Sequence, residues 1–196
     1  MDKRIEDILA RIDDLTDELE TEIAKRRKAF AYELIGRRAR FEATVKRRHK
    51  ELRVDLKAFF AGARLSHIVT APVIYSLIVP FVILDLFVSV YQLVCFPAYG
   101  IPKVRRSDHI RIDRHHLAYL NGLQKLNCVY CGYCNGVISW VGEIASRTEA
   151  FWCPVKHAGP VRHPHGRYAT FLDFGDAEGF QDGLTRSRDA VTRKDG

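Results

Sequence analysis

The polar and apolar positions along this chain fall into three regimes. From Asp2 to about Phe60 there is no proline, and the apolar residues recur at helical spacing. Ile5, Ile8, Ile12, Leu15 and Leu19 alternate three and four apart, a coiled-coil seam. The register then slips by four to Ile23 and continues through Phe30, Leu34, Phe41, Val45, Leu52, Leu56 and Phe59. A four-residue slip is a stutter, which unwinds a supercoil locally without ending the helix. The second regime, residues 68–96, is apolar on every side and carries one formal charge, Asp85. Beyond it the helical period returns in shorter stretches. Leu117–Leu126 and Val137–Trp152 read as helices, the latter ending where Cys153-Pro154 forbids continuation. Tyr168–Phe174 alternates as a short strand.

These patterns predict a mainly α protein. A long N-terminal amphipathic, coiled-coil-like helix over residues 1–64 leads into a membrane segment over residues 65–100. A small α-rich, cysteine-bearing head with one short strand follows over residues 101–180, and a flexible tail over residues 181–196. The apolar run exceeds the roughly 18 residues that suffice to cross a bilayer. As one helix, Ala71 to Phe96 would measure about 39 Å. Pro80 interrupts it, so two geometries are open: a kinked single span, or a re-entrant hairpin turning near Pro80. The first sixty residues are charged and the run is late and long, which does not fit a cleavable signal peptide.

Charge adds a bias toward membranes. The formal net charge is +7, and the basic residues cluster on either side of the apolar run. Seven lie within residues 44–64, and five (Lys103, Arg105, Arg106, Arg111 and Arg114) within residues 101–115. Next to a membrane segment such clusters attract anionic lipid headgroups, and the chain lacks a recognisable nucleic-acid module. Lys/Arg-rich flanks mark the cytoplasmic side, and two such flanks favour the hairpin, with the head in the cytosol. Asp85, costly at depth, is expected to face a partner, such as another copy of the same helix. The seam in the first helix makes homo-oligomerisation through that helix a further expectation.

The chemistry concentrates in Cys128-x2-Cys131-x2-Cys134, followed by Cys153-Pro154 and His157. The helix Val137–Trp152 would separate the two groups, and a reversal there would return Cys153 to the first. Three readings compete. Cys128, Cys131, Cys134 and Cys153-Pro154 resemble the ligands of a bacterial ferredoxin, which implies a [4Fe–4S] cluster, although the fourth cysteine lies far beyond the ferredoxin spacing. Cys128, Cys131, Cys153 and His157 have the spacing of a closed Cys3His zinc site. The third reading has no metal, only disulfides or buried thiols. Cys131 and Cys134 are followed by Gly132 and Asn135, not His, which excludes attachment of a c-type haem. A thiol oxidoreductase would need a βαβ setting that the pattern lacks. Thiolate ligands persist most easily in a reducing cytosol, in keeping with a cytoplasmic head.

The segment NCVYCGYCNGV…FWCPVKHA resembles a family of small bacterial membrane-associated proteins. That resemblance implies a bacterial inner-membrane setting and no activity. Elsewhere, His115, His116, His163 and His165 with nearby aspartates offer material for an enzyme, but no nucleophile–base pair or phosphate loop organises them. The functional expectation is a non-enzymatic, membrane-anchored metal protein. The alternative is a coiled-coil membrane tether whose cysteines are structural only.

Overall fold

The computed structural model describes residues 3–29, 32–35 and 38–193. Helix α1 spans Lys3–Ala29, followed by strands β1 (Tyr32–Ile35) and β2 (Arg38–Phe41) and short helices α2 (Ala43–Glu51) and α3 (Leu56–Ala61). Next come α4 (Leu65–Ser76), α5 (Ile78–Tyr99) and α6 (Arg106–His109). A helix of 31 residues, α7 (Gly122–Trp152), and α8 (Phe180–Thr192) complete the helical elements. The protein is mainly α, and packing divides it into two compact units. One contains Met1–Thr70 and Ile112–Cys131, the other Ala71–Arg111 and Gly132–Gly196.

In the first unit, the continuous helix expected to Phe60 is broken after Ala29. Strands β1 and β2 pair antiparallel, with Tyr32 opposite Phe41 and Ile35 opposite Arg38. The sequence Tyr-Glu-Leu-Ile ends against a glycine, and these residues hold a helix less firmly than the Ala-, Glu- and Lys-rich stretch before them. Phe30, Gly36 and Arg37, part of that expected helix, lie outside the described residues, as does Asp2. A second break falls at residues 52–55, between α2 and α3. Val54 there lends its carbonyl to Asn121 Nδ2 at 3.3 Å. The ring of His49 packs edge-on against both Phe41 and Tyr119. Asn121 also starts α7. Its side chain accepts from Gln124 N at 2.9 Å, and Gln124 Oε1 accepts from Asn121 N at 3.0 Å. This reciprocal capping box fixes the helix start at Gly122, five residues later than the apolar period suggests.

The apolar run forms a helix, Leu65–Tyr99, 35 residues long and apolar enough to cross a membrane. It does not turn back at Pro80. Proline there has no N–H to offer the carbonyl of Ser76 and crowds it, so the helix is only interrupted at Leu77, between α4 and α5. That removes the hairpin geometry on which placing both basic flanks in the cytosol rested.

In the second unit, α5 ends in a Schellman turn. Gly100 adopts φ 71°, Ile101 N donates to Phe96 O at 2.9 Å, and Gly100 N donates to Pro97 O at 3.3 Å. Glycine takes this left-handed conformation without steric cost. Phe96 and Ile101, the apolar pair that accompanies the motif, are both buried. They form the core with Val104, Trp140, Ile144, Ala150, Phe171 and Val191. Gly136 on α7 is buried because the chain passes directly over it. A Cβ there would lie 2.7 Å from Ile110 Cα. Asn135-Gly136 is therefore a place of close packing and not a break, which is why α7 runs on through it. The expected strand Tyr168–Phe174 is instead a 3-10 turn, Gly166–Thr170, followed by a single bridge from Leu172 to Val155. The expected flexible tail is helical as α8, with Gly183 packed on Leu172 and Val191 in the core; only residues 194–196 of it lie outside the described residues.

Gly136→Val places a branched side chain against the Ile110 backbone. Overpacking of this kind costs about 1–3 kcal/mol. We expect a matching fall in stability by denaturant unfolding in detergent, with no change in the apolar helix.

Candidate functional site

Helix α5 has one polar seam. Asp85, Ser89 and Gln92 lie four and three residues apart and so share a face, continued by Phe96 and Tyr99. Asp85 and Gln92 are buried, whereas Leu86, Phe87, Val90, Leu93 and Val94 on the other side are exposed. The segment after Gly100 returns along this seam. Val104 N donates to Gln92 Oε1 at 2.8 Å and Val104 O accepts from Gln92 Nε2 at 3.4 Å, so a side-chain amide stands in for a neighbouring strand. Further along, Arg106 Nη2 meets Asp85 Oδ2 at 2.5 Å, and Tyr133 Oη donates to the same oxygen at 2.7 Å. Ser89 Oγ reaches Oδ1 at 3.5 Å. The Arg106 guanidinium lies 5.8 Å from the Trp140 ring centroid, and Trp140 Nε1 donates to Val104 O at 3.4 Å. The partner expected for Asp85 was another copy of its helix; the structure supplies it from within the chain.

This arrangement shifts the phenol of Tyr133. Burial raises its pKa, and its hydrogen bond to the Asp85 carboxylate raises it further, to about 12. A second ionic cluster lies on α7 and the segment after it. Glu143 accepts from Arg147 Nε and from Arg167 Nη1 and Nη2, each at 2.8 Å, and Arg147 Nη1 also ties Pro102 O. Burial alone would raise the Glu143 pKa, but the hydrogen bonds and charges of Arg167 and Arg147 outweigh it and hold the carboxyl below its ordinary range. His165 Nε2 lies 2.9 Å from Glu149 Oε2, on the rim of a shallow apolar cleft of ≈ 470 Å³ between α5 and α7.

The cysteines do not converge. Cys128 (half-buried) and Cys131 (exposed) sit one turn apart near the start of α7. Cys134 is buried in the second unit, and Cys153 is exposed just past the far end of the same helix. The nineteen residues between them in register correspond to about 28 Å of helix axis, and Cys128 lies farther back still. The helix that was to reverse and return Cys153 begins at Gly122 and does not reverse. Cys134 and Cys153 of the set Cys128, Cys131, Cys134 and Cys153 are therefore apart within the second unit; of the set Cys128, Cys131, Cys153 and His157, the first two belong to the first unit and the last two to the second. His157 is exposed and stacks on Tyr168, whose hydroxyl accepts from its backbone N at 2.8 Å. None of the five cysteines is in a disulfide, and no group of three or more metal-ligating residues is present among the described residues. The histidines are similarly dispersed: His115 and His116 stack on each other, His165 pairs with Glu149, and His163 lies in a loop.

Sequence reading found Asp85 but assigned Arg106 to the lipid-facing flank and passed over Gln92 and Tyr133. The signal was available in the i, i+4, i+7 spacing of Asp85, Ser89 and Gln92 on an otherwise apolar helix. No family model matches this chain, and neither the curated proteins nor the solved structures contain a significant match.

Because the Tyr133 pKa is higher in the folded chain than its ordinary value near 10, the neutral phenol favours the fold. That contribution is complete below about pH 10 and is lost as pH rises toward 12. We expect Tyr133→Phe to flatten the alkaline decline in stability over this window, as read by unfolding at stepped pH.

Proposed function

We propose that this chain is a non-enzymatic membrane tether: an apolar helix anchors it, and the folded head is fastened along the end of that helix. The observation that carries the reading is the helix Leu65–Tyr99, long and apolar enough to cross a membrane and with only 6% of its most apolar stretch buried. A core helix of a soluble domain would be covered by its own fold. In this one no residue of α4 is buried, and one face of α5 is exposed.

Its length supports a division of labour. Thirty-five residues make about 52 Å of helix, against a hydrocarbon core of ~30 Å. Residues 65–84 contain no Asp, Glu, Lys or Arg and supply that ~30 Å by themselves. From Asp85 onward one face is polar and is taken up by the returning segment and α7. We therefore assign the crossing to residues 65–84 and the docking of the head to residues 85–99. The basic residues flanking the helix, less Arg106, remain for anionic headgroups. Cysteines that are not in disulfides accord with a bacterial inner membrane and a head in a reducing compartment.

The expected result of alkaline carbonate extraction is that the chain stays with the membrane. Complete release of the protein would refute the anchor. Val73→Arg combined with Val79→Arg adds about 2.5–3.5 kcal/mol per residue to insertion, and we expect that variant to shift to the soluble or aggregated fraction. Elemental analysis of anaerobically purified protein is expected to find far less than one equivalent of iron or zinc. A full equivalent of either would reinstate the metal centre that the cysteine spacing predicts.

A further inference from the structure

Helix α1 carries an apolar stripe that is exposed along most of its length. Ile8, Ile12, Leu15, Leu19 and Ile23 are between 41% and 62% exposed. An amphipathic helix normally owes its stability to the surface that its apolar stripe packs against. This stripe has heptad spacing over Ile5, Ile8, Ile12, Leu15 and Leu19, so another helix of the same kind suits it geometrically. The flanking charges then distinguish the two orders of pairing.

In a parallel pair, the positions flanking the seam meet five residues apart, so Arg11 faces Thr16 of the second copy and Glu18 faces Ile23 of the second copy. Neither contact gains anything from charge. In an antiparallel pair, Ile8 packs against Leu19 of the second copy and Ile12 against Leu15 of the second copy. Arg11 then lies across from Glu18 of the second copy, and the twofold axis makes this contact twice. Beyond these layers Ile5 would meet Glu22 of the second copy, a residue that Lys25 of its own helix already engages at 2.5 Å. The favourable overlap is therefore confined to residues 8–19.

We infer that α1 is a homodimerisation arm that pairs antiparallel with α1 of a second copy, its order set by reciprocal Arg11–Glu18 contacts. The overlap is short, so the affinity of the arm alone is low. Anchoring both copies in one membrane, which rests on the tether reading above, raises their effective concentration and suits such a weak arm.

The test uses the full chain in detergent, with mass followed by sedimentation equilibrium over a range of concentrations. The parent chain should reach a dimer. Arg11→Glu or Glu18→Arg alone should raise the dissociation constant roughly tenfold, since two attractive contacts become repulsive. The double reversal, Arg11→Glu with Glu18→Arg, should restore it close to the parent value. Circular dichroism on each variant confirms that the helix persists. For the order of pairing, chains carrying Ile8→Cys are mixed with chains carrying Leu19→Cys and treated with a bismaleimide. Mass spectrometry should then find residue 8 joined to residue 19. A parent chain that stays monomeric, single reversals without effect, a double reversal without rescue, or residue 8 joined to residue 8 would each overturn the inference. Because the mass is read in detergent, none of these outcomes bears on membrane anchoring.

Discussion

One buried carboxylate organises the second unit. Asp85 is the only formal charge on an otherwise apolar helix, and moving an isolated carboxylate out of water costs several kcal/mol even after relaxation. The fold answers by bringing Arg106 and Tyr133 to the same oxygen. That requirement fixes the path of the chain. Gly100 reverses it, Gln92 holds Val104 in register, and Arg106 then arrives at the level of Asp85. Trp140 fills the space between, touching Arg106 and Val104, and Gly136 lets the segment pass close over α7. A neutral residue at position 85 would leave the return path to the Gln92 clamp and to the hydrogen bonds that Trp140 and Arg147 donate to Val104 O and Pro102 O.

Much of this was legible in the residues, and the misses have physical causes. The apolar run needed only composition, because few soluble elements expose so many apolar residues in succession. The end of α5 was marked by Gly100 and the end of α7 by Cys153-Pro154. The start of α7 was marked too, in Asn121-x2-Gln124, but a cap is outweighed in a reading based on apolar period alone. Gly136 misled because glycine after asparagine signals a turn locally, while its actual use is to admit Ile110, twenty-six residues earlier in the chain and invisible to any local pattern. The long N-terminal helix failed for the opposite reason. Its apolar spacing holds past Ala29, but β1 and β2 form where aromatic and branched residues meet a glycine, a preference that periodicity does not register.

The thiols show the limit of spacing as evidence for a site. Cys-x2-Cys holds a metal when the chain turns around the ion, and a distant ligand returns only when the intervening segment folds back. Here the intervening segment belongs to the continuous 31-residue helix α7, and rigid rise along its axis sets Cys153 apart from Cys134. The same rigidity is useful to the head: α7 supplies Tyr133 to the carboxylate at one level, Trp140 to the core at the next, and Thr148 to Tyr91 at 2.9 Å beyond that. A continuous strut against α5 suits the tether proposed above.

The claim on which this account rests is that Asp85 and Arg106 fasten the head to the anchoring helix as a coupled pair. A double-mutant cycle with Asp85→Asn and Arg106→Gln, followed by denaturant unfolding in detergent, measures that coupling directly. The account predicts that Arg106→Gln is strongly destabilising when Asp85 is present and much less so when residue 85 is asparagine, with a coupling energy of about 1–3 kcal/mol. Additive effects of the two substitutions, with no coupling beyond experimental error, would contradict it.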